Sequence, residues 1–260
     1  MTATAVFHTD QGEGTPLIIL HGLFGSSDNW STLAKHWQKK IRVLNVDQRN
    51  HGKSPHSSPF TYAAMAEDVL HLLDTYGLDK VILLGHSMGG KTAMFFAHLY
   101  PDRVEKLIIV DIGPKAYPIH HQEIIDGLRA LKPERFETRG EAEKAFEELS
   151  NLDAPTRQFL LKNLYWNDDK KLAWRMNLEG IAAAIGCVGE ALPKAAKIVQ
   201  PTRFIRGGNS KYILEEDLEQ MKLQFPNMEL KTAPNAGHWV HAQAPELVYN
   251  WVLEFSLPAK

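Results

Sequence analysis

The sequence predicts an α/β fold in which a mostly parallel central sheet carries helices on both faces and is interrupted once by a helical insertion. Three observations lead there. Short apolar runs at residues 17–20, 42–46, 81–84 and 107–110 alternate with amphipathic stretches, the rhythm of βα units whose strands are buried on both sides. That rhythm stops at Gly113 and resumes near Thr202. Between these points helical patterns are punctuated by Pro118, Pro133, Gly140, Pro155 and Pro193. The expected division is a sheet domain made of residues 1–112 and 198–260, with residues 113–197 inserted as a helical cap.

In chain order, residues 1–14 are polar, with an extended piece at Val6-Phe7-His8 and a turn at Gln11-Gly12-Glu13-Gly14 leading into the first buried strand. Leu33, Ala34 and Trp37 mark one face of a helix within 31–40. Met65, Val69, Leu72, Leu73 and Tyr76 mark another within 61–76, and Gly77 is placed to cap its C-terminus. The strand at 81–84 runs into Gly85-His86-Ser87-Met88-Gly89 and then a helix over 91–100. In the insertion the charged stretch 134–148, with Ala142, Ala145, Phe146 and Leu149, fits an amphipathic helix with one solvated face. A strand at 202–205, an amphipathic stretch at 215–225, a strand near 229–231 and a last helix over 245–255 complete the chain.

Size and composition exclude several classes. With 260 residues, 44% of them hydrophobic, and a formal net charge of -2, the chain is long enough for a full core and carries no basic stripe that would track phosphates. Nucleic acid is not an expected partner. The longest apolar runs fall far short of the ~20 residues that span a bilayer, and residues 1–14 lack the basic and apolar regions of a secretory signal, so no membrane association is expected. The single cysteine, Cys187, excludes an intrachain disulfide and is compatible with the reducing cytoplasm, the expected location. The His120-His121 pair has no spaced carboxylate or second ligand set, so neither metal nor cofactor is expected. The expected assembly is a monomer or homodimer.

Chemistry enters at the turn around Ser87. A serine at a tight strand-to-helix elbow is pushed out of the sheet, and glycines on both flanks remove Cβ atoms that would collide across the turn. A glycine-rich βα turn with an incidental serine would explain the glycines but not the partners found elsewhere. A hydroxyl is a poor nucleophile at neutral pH, so it needs a base and a group that holds the base in the right tautomer. Of twelve histidines, His238 stands out because Asn235-Ala236-Gly237-His238-Trp239 is a glycine-loosened loop after the last strand. His71 and His98 lie within helices, His36 on a helical surface, and His120, His121 and His241 on cap or loop surface; His86 packs locally beside the serine. The opening strand ends in His21-Gly22-Leu23-Phe24-Gly25, where the N–H of Leu23, or alternatively Phe24, together with the N–H of Met88 can receive the negative oxygen of a tetrahedral intermediate. His21 reads as a structural residue fixing that loop.

His21-Gly22, the segment Asp47-Gln48-Arg49-Asn50-His51-Gly52-Lys53-Ser54, the elbow and the Ala236-Gly237-His238 loop, taken in order, resemble the landmarks of the α/β-hydrolase superfamily over nearly the whole chain. Asp47 and Arg49 read as loop braces. The elbow, Val110-Asp111-Ile112-Gly113-Pro114 and Gly207-Gly208-Asn209-Ser210 together resemble the YbfF-type esterases. That resemblance implies hydrolysis of short-chain carboxylic esters and extends to acyl-coenzyme A thioesters.

The chain departs from the common superfamily pattern at the acid. Ser210 stands where an aspartate usually follows the strand at 202–205, and a neutral hydroxyl can accept a bond from an imidazole N–H but cannot stabilise an imidazolium as an anion does. Asp111 ends the preceding strand and preserves the order Ser, Asp, His; in YbfF-type enzymes an acid at this earlier strand is paired with a serine at the later one, and both match here. The expected catalytic set is therefore Ser87, His238 and Asp111 with Ser210 as auxiliary, and Leu23 and Met88 as oxyanion donors, acting on a small ester or thioester with water. Phe159, Leu160, Leu164, Tyr165, Trp166 and Met176 are expected to roof the site or pack the cap. Lyase, perhydrolase or C–C hydrolase chemistry on the same triad, and a receptor that lost turnover, are the alternatives; a carboxylate-nucleophile dehalogenase is excluded by Ser87.

Overall fold

The structure is a computed structural model and describes residues 3–258. The first half of the chain forms β1 (His8–Gln11), β2 (Pro16–Leu20), α1 (Ser31–Trp37), β3 (Arg42–Val46), α2 (Tyr62–Thr75), β4 (Val81–His86), α3 (Met88–Leu99) and β5 (Val104–Val110). There follow α4 (Gln122–Ala130), α5 (Arg139–Leu149), α6 (Ala154–Leu161), β6 (Leu164–Trp166), β7 (Leu172–Trp174) and α7 (Leu178–Ala183). The chain ends with β8 (Thr202–Gly207), α8 (Leu218–Gln224), β9 (Met228–Ala233), α9 (Val240–Gln243) and α10 (Pro245–Ser256).

Seven strands make one sheet in the order β1-β3-β2-β4-β5-β8-β9, and β1 alone runs antiparallel to its neighbour. The interior strands read as unbroken apolar runs because both faces are covered, and the side chains alternate between two cores. Ile18, Leu20, Leu83 and Ile109 point to the face covered by α2 and α3, where Met65, Val69, Met94 and Phe96 meet them. Leu17, Ile19, Ile82, Leu84 and Ile108 point to the other, against Trp37 of α1 and Val248 and Val252 of α10. Thr61 caps α2 by accepting a bond from Ala64 N–H, and Gly77, at φ +60°, ends it.

Register decides what reaches the edge. His86 pairs with Val110 and Val110 with Ile205, so the residues that follow, Ser87, Asp111 and the turn after β8, leave the sheet side by side. Gly207 pairs with Ala233, which brings the loop containing His238 to the same edge. Asp47 and Arg49 brace this side: the Asp47 carboxylate accepts from Ser27 N–H at 2.6 Å and Lys53 N–H at 2.8 Å, and Arg49 forms a fork with Asp68 at 2.6 and 2.5 Å.

Three expectations shift. The first strand begins at His8 rather than Val6 and takes in Gln11. The stretch between β5 and β8 is not wholly helical, since Leu164–Trp166 and Leu172–Trp174 pair as an antiparallel hairpin whose turn puts Lys170 at φ +56°. Leu149, assigned to the apolar face of α5, is 50% exposed at the helix end, whereas Ala142 and Phe146 are buried.

Lys91 of α3, with no exposed surface, ties both ends of that stretch to the sheet domain. Its ammonium donates to the carbonyls of Pro114 (3.1 Å), Lys115 (2.6 Å) and Glu190 (2.8 Å). Burial pushes this group down to about 7, while the three carbonyl oxygens favour the charged form.

Candidate active site

Ser87 follows the last residue of β4 and precedes the first of α3, with φ 52° and ψ -119°. A non-glycine residue in that region stores on the order of 1–3 kcal/mol of strain and persists only where its surroundings enforce it. Here they do, because a Cβ on Gly85 would lie 2.2 Å from the Gly89 carbonyl oxygen, and one on Gly89 would lie 2.2 Å from that of Leu20. Strand, elbow and helix can approach this closely only through the two glycines. Ser87 N–H donates to Val110 O at 3.0 Å, which fastens the elbow to β5.

Asp111 is fully buried, also at positive φ (52°), a conformation that a short polar side chain tolerates. Its Oδ1 accepts from Gly207 N–H at 2.9 Å, and its Oδ2 accepts from the Ser210 hydroxyl and lies 2.8 Å from His238 Nδ1. A carboxylate acceptor requires Nδ1 of His238 to carry a proton, so Nε2 is left as the basic nitrogen. Ser210, expected as an auxiliary hydrogen-bonding partner, donates to the carboxylate, because the turn after β8 delivers its hydroxyl to Asp111 Oδ2.

The structure brings Ser87 and His238 to the wall of one cavity of about 150 Å³, although no hydrogen bond joins them among the described residues. Such bonds are commonly loose without substrate and tighten when it binds. The Leu23 and Met88 expectations divide cleanly from Phe24. Phe24 N–H already donates to His51 Nε2 at 3.1 Å, whereas Leu23 N–H has no acceptor among the described residues. Met88 is the first residue of α3, so its N–H precedes the helical ladder.

Burial holds His21, His86 and His241 below the usual imidazole range. His21, pushed down to about 4, accepts from Gln48 N–H and donates to Gly22 O, fixing the loop ahead of Leu23 as expected. His86, pushed well below the usual imidazole range, donates from Nε2 to the His238 carbonyl at 2.9 Å and so supports the loop that carries the base. His241, assigned to surface, is instead buried and stacks on Trp30 at 4.3 Å. It follows Trp239 into the first turn of α9, which folds its ring inward. His120 and His121 both line the cavity; His120 is exposed, as assigned, and His121 is half-buried.

Of the residues expected overhead, Phe159 and Leu160 line the cavity, and Phe159 meets Trp239 edge-on at 4.2 Å. Leu164, Tyr165, Trp166 and Met176 do not; the first three form one strand of the hairpin, which turns Trp166 to solvent at 46% exposure. The sequence reading passed over Tyr212. Its ring stacks on His238 at 4.0 Å, its N–H donates to Ser210 Oγ at 3.2 Å, and its hydroxyl lies 3.1 Å from His120 Nε2. Its place two residues beyond Ser210 was the available signal.

A family model for the alpha/beta hydrolase fold matches residues 15–245. The chain is 35% identical over 240 residues to esterase YbfF of Escherichia coli, covering 92% of each chain. It is 39% identical over 246 residues to the mouse protein named sn-1-specific diacylglycerol lipase ABHD11, covering 92% of this chain and 80% of that one. A solved structure described as a marine microorganism esterase superposes with a TM-score of 0.93 at 38% identity, covering 97% of this chain and all of the other. With the parallel sheet, the elbow and these matches in hand, the chain belongs to the α/β-hydrolase family.

Proposed function

We propose that the protein is a serine carboxylic-ester hydrolase that works through an acyl-enzyme on short- to medium-chain esters, with acyl-coenzyme A thioesters within its range. The observation that carries this reading is the His238–Asp111 contact of 2.8 Å beside a strained serine elbow, which engages Nδ1 and leaves Nε2 as the nitrogen that can take a proton, on a residue that lines one cavity with Ser87. The names of the relatives, an esterase and a diacylglycerol lipase, agree with ester chemistry.

In this reading Ser87 Oγ attacks the ester carbonyl while His238 Nε2 takes its proton, and Asp111 stabilises the imidazolium that forms. The amides of Leu23 and Met88 receive the oxyanion, each such donor typically worth about 3 kcal/mol of barrier. Collapse breaks the bond to the leaving oxygen or sulfur as Nε2 returns the proton to it; water then repeats the sequence on the acyl-serine. Ser210 and Gly207 N–H orient Asp111 by donating to its two oxygens. Residues 113–197 act as a cap, with His120, His121, Ile124, Thr156, Phe159 and Leu160 roofing the serine.

The test is labelling by a fluorophosphonate together with p-nitrophenyl acetate turnover. Wild-type protein should take up one label per chain at Ser87 and release a burst equal to its concentration. Ser87→Ala should take up none and lose on the order of 10⁶ in kcat with its melting temperature kept. Labelling elsewhere, or persisting turnover in Ser87→Ala, would remove the reading.

A further inference from the structure

Two cavities meet at Ser87, and we infer that they divide the ester between them: the acyl group occupies the smaller and the leaving group the larger, so the enzyme selects small acyl groups on bulky alcohols or thiols. The inference rests on Ser87 and His238 acting as proposed above.

The larger cavity, about 150 Å³, is walled by His238, Trp239, His241 and Phe159. The smaller, about 20 Å³, adjoins it at Ser87 and is lined by Tyr62, Met88, Ile112, Ile119 and Val188. Leu23, Ser87 and Tyr212 line both, but His238 faces only the larger and Met88 only the smaller. That asymmetry assigns the two halves of the substrate. When the tetrahedral intermediate collapses, the bond from carbon to the leaving atom breaks, its electron pair stays on that atom, and the proton on His238 Nε2 moves to it. The leaving group must therefore lie on the imidazole side. With the leaving group on the imidazole side and the oxygen held by the Leu23 and Met88 amides, the acyl substituent is left the other cavity that Ser87 lines, the smaller one.

Volume then sets selectivity. A cavity of about 20 Å³ is little more than the ~10–15 Å³ that a single water requires, enough for a methyl or ethyl group, whereas one of about 150 Å³ is the size that takes a benzene ring. The end wall cannot retreat easily. Tyr62 is 1% exposed, stacks on Phe95 at 5.0 Å and donates its hydroxyl to Val188 O at 2.6 Å. Val188 and Ile119 are the wall side chains that can be shortened, and Ile119 is 41% exposed, so trimming it leaves no buried hole.

Two ester series on the purified protein test this: p-nitrophenyl esters from acetyl to octanoyl, and acetates of methanol, butanol, octanol and phenethyl alcohol. The kcat/KM should fall about tenfold or more for each methylene beyond propionyl, the usual penalty for a group that a pocket cannot hold, while the acetate series holds level or rises with alcohol size. Val188→Ala and, independently, Ile119→Ala should raise the hexanoyl-to-acetyl ratio by about tenfold. A profile that favours long acyl chains, or is flat, while the fluorophosphonate still labels Ser87 would overturn the division and leave the nucleophile standing. Loss of labelling would overturn the division together with the reading beneath it.

Discussion

At the sheet edge a Cβ added to Gly85 or Gly89 meets backbone oxygen at 2.2 Å, whereas in the stretch between β5 and β8 a Cβ added to Gly140 or Gly186 meets nothing within 4 Å. The difference extends to charge and conformation. The edge holds Ser87 and Asp111 at positive φ and buries Asp111 completely, while α5 presents Glu143, Lys144, Glu147 and Glu148 to solvent. The strand-to-helix elbow excludes any side chain at its two glycines, whereas α5 buries Ala142 and Phe146 beneath a charged surface. Chemistry that depends on tenths of an ångström belongs in the first.

The largest effect that separates them is expected at Asp111. Asp111→Asn should lower turnover on the order of 10⁴, as loss of tautomer control does in serine proteases, and Ser210→Ala, which removes one donor to the carboxylate, should cost about tenfold. Steady-state hydrolysis of p-nitrophenyl acetate reads both. Equal rates for wild type and Asp111→Asn would dissolve the distinction between edge and cover.

Acid should weaken the edge next. Burial holds His21 at about 4 and His51 and His241 at about 3, against 6.5 for the unfolded imidazole. Below pH 6.5 the unfolded chain therefore binds protons that the native one refuses, so stability falls as pH drops from 6.5 toward 4, by up to about 3 kcal/mol per histidine. The urea midpoint followed across that window should decline, and His241→Phe should make the decline shallower; a midpoint that stays level would show that these rings are not held neutral by burial.

The smallest effect tests the glycines directly. Gly89→Ala should cost about 1–3 kcal/mol or more through forced backbone displacement, and Gly140→Ala, in the first turn of α5, should gain about 0.5 kcal/mol from helix propensity. Thermal melts of the two variants should move in opposite directions, and a shared direction would erase the contrast.

The same contrast explains what could be read before any coordinates. The strands, their parallel order and the positions of Ser87, Asp111 and His238 were legible because unbroken apolar runs mean strands covered on both faces, and because parallel register carries their ends to one edge. The partner of Ser210 was not legible, since a turn of four residues does not reveal which side of a ring its hydroxyl will reach. The hairpin was missed although Asn167-Asp168-Asp169-Lys170 between Leu164-Tyr165-Trp166 and Leu172-Ala173-Trp174 is a turn signal; strands of three residues are too short for a period to register. Tyr212 and His241 act through rings packed against residues far away in the chain, and no local pattern announces such contacts.

Lys91 has one more consequence. Because a single ammonium grips Pro114, Lys115 and Glu190, the seventy-odd residues in between depart and return through one clasped doorway. Chain inserted beyond a doorway already shut adds little closure entropy, about 0.6 kcal/mol for each doubling of its length. Length changes within that stretch are thus cheap to close, because its two ends are already held together at one buried cation.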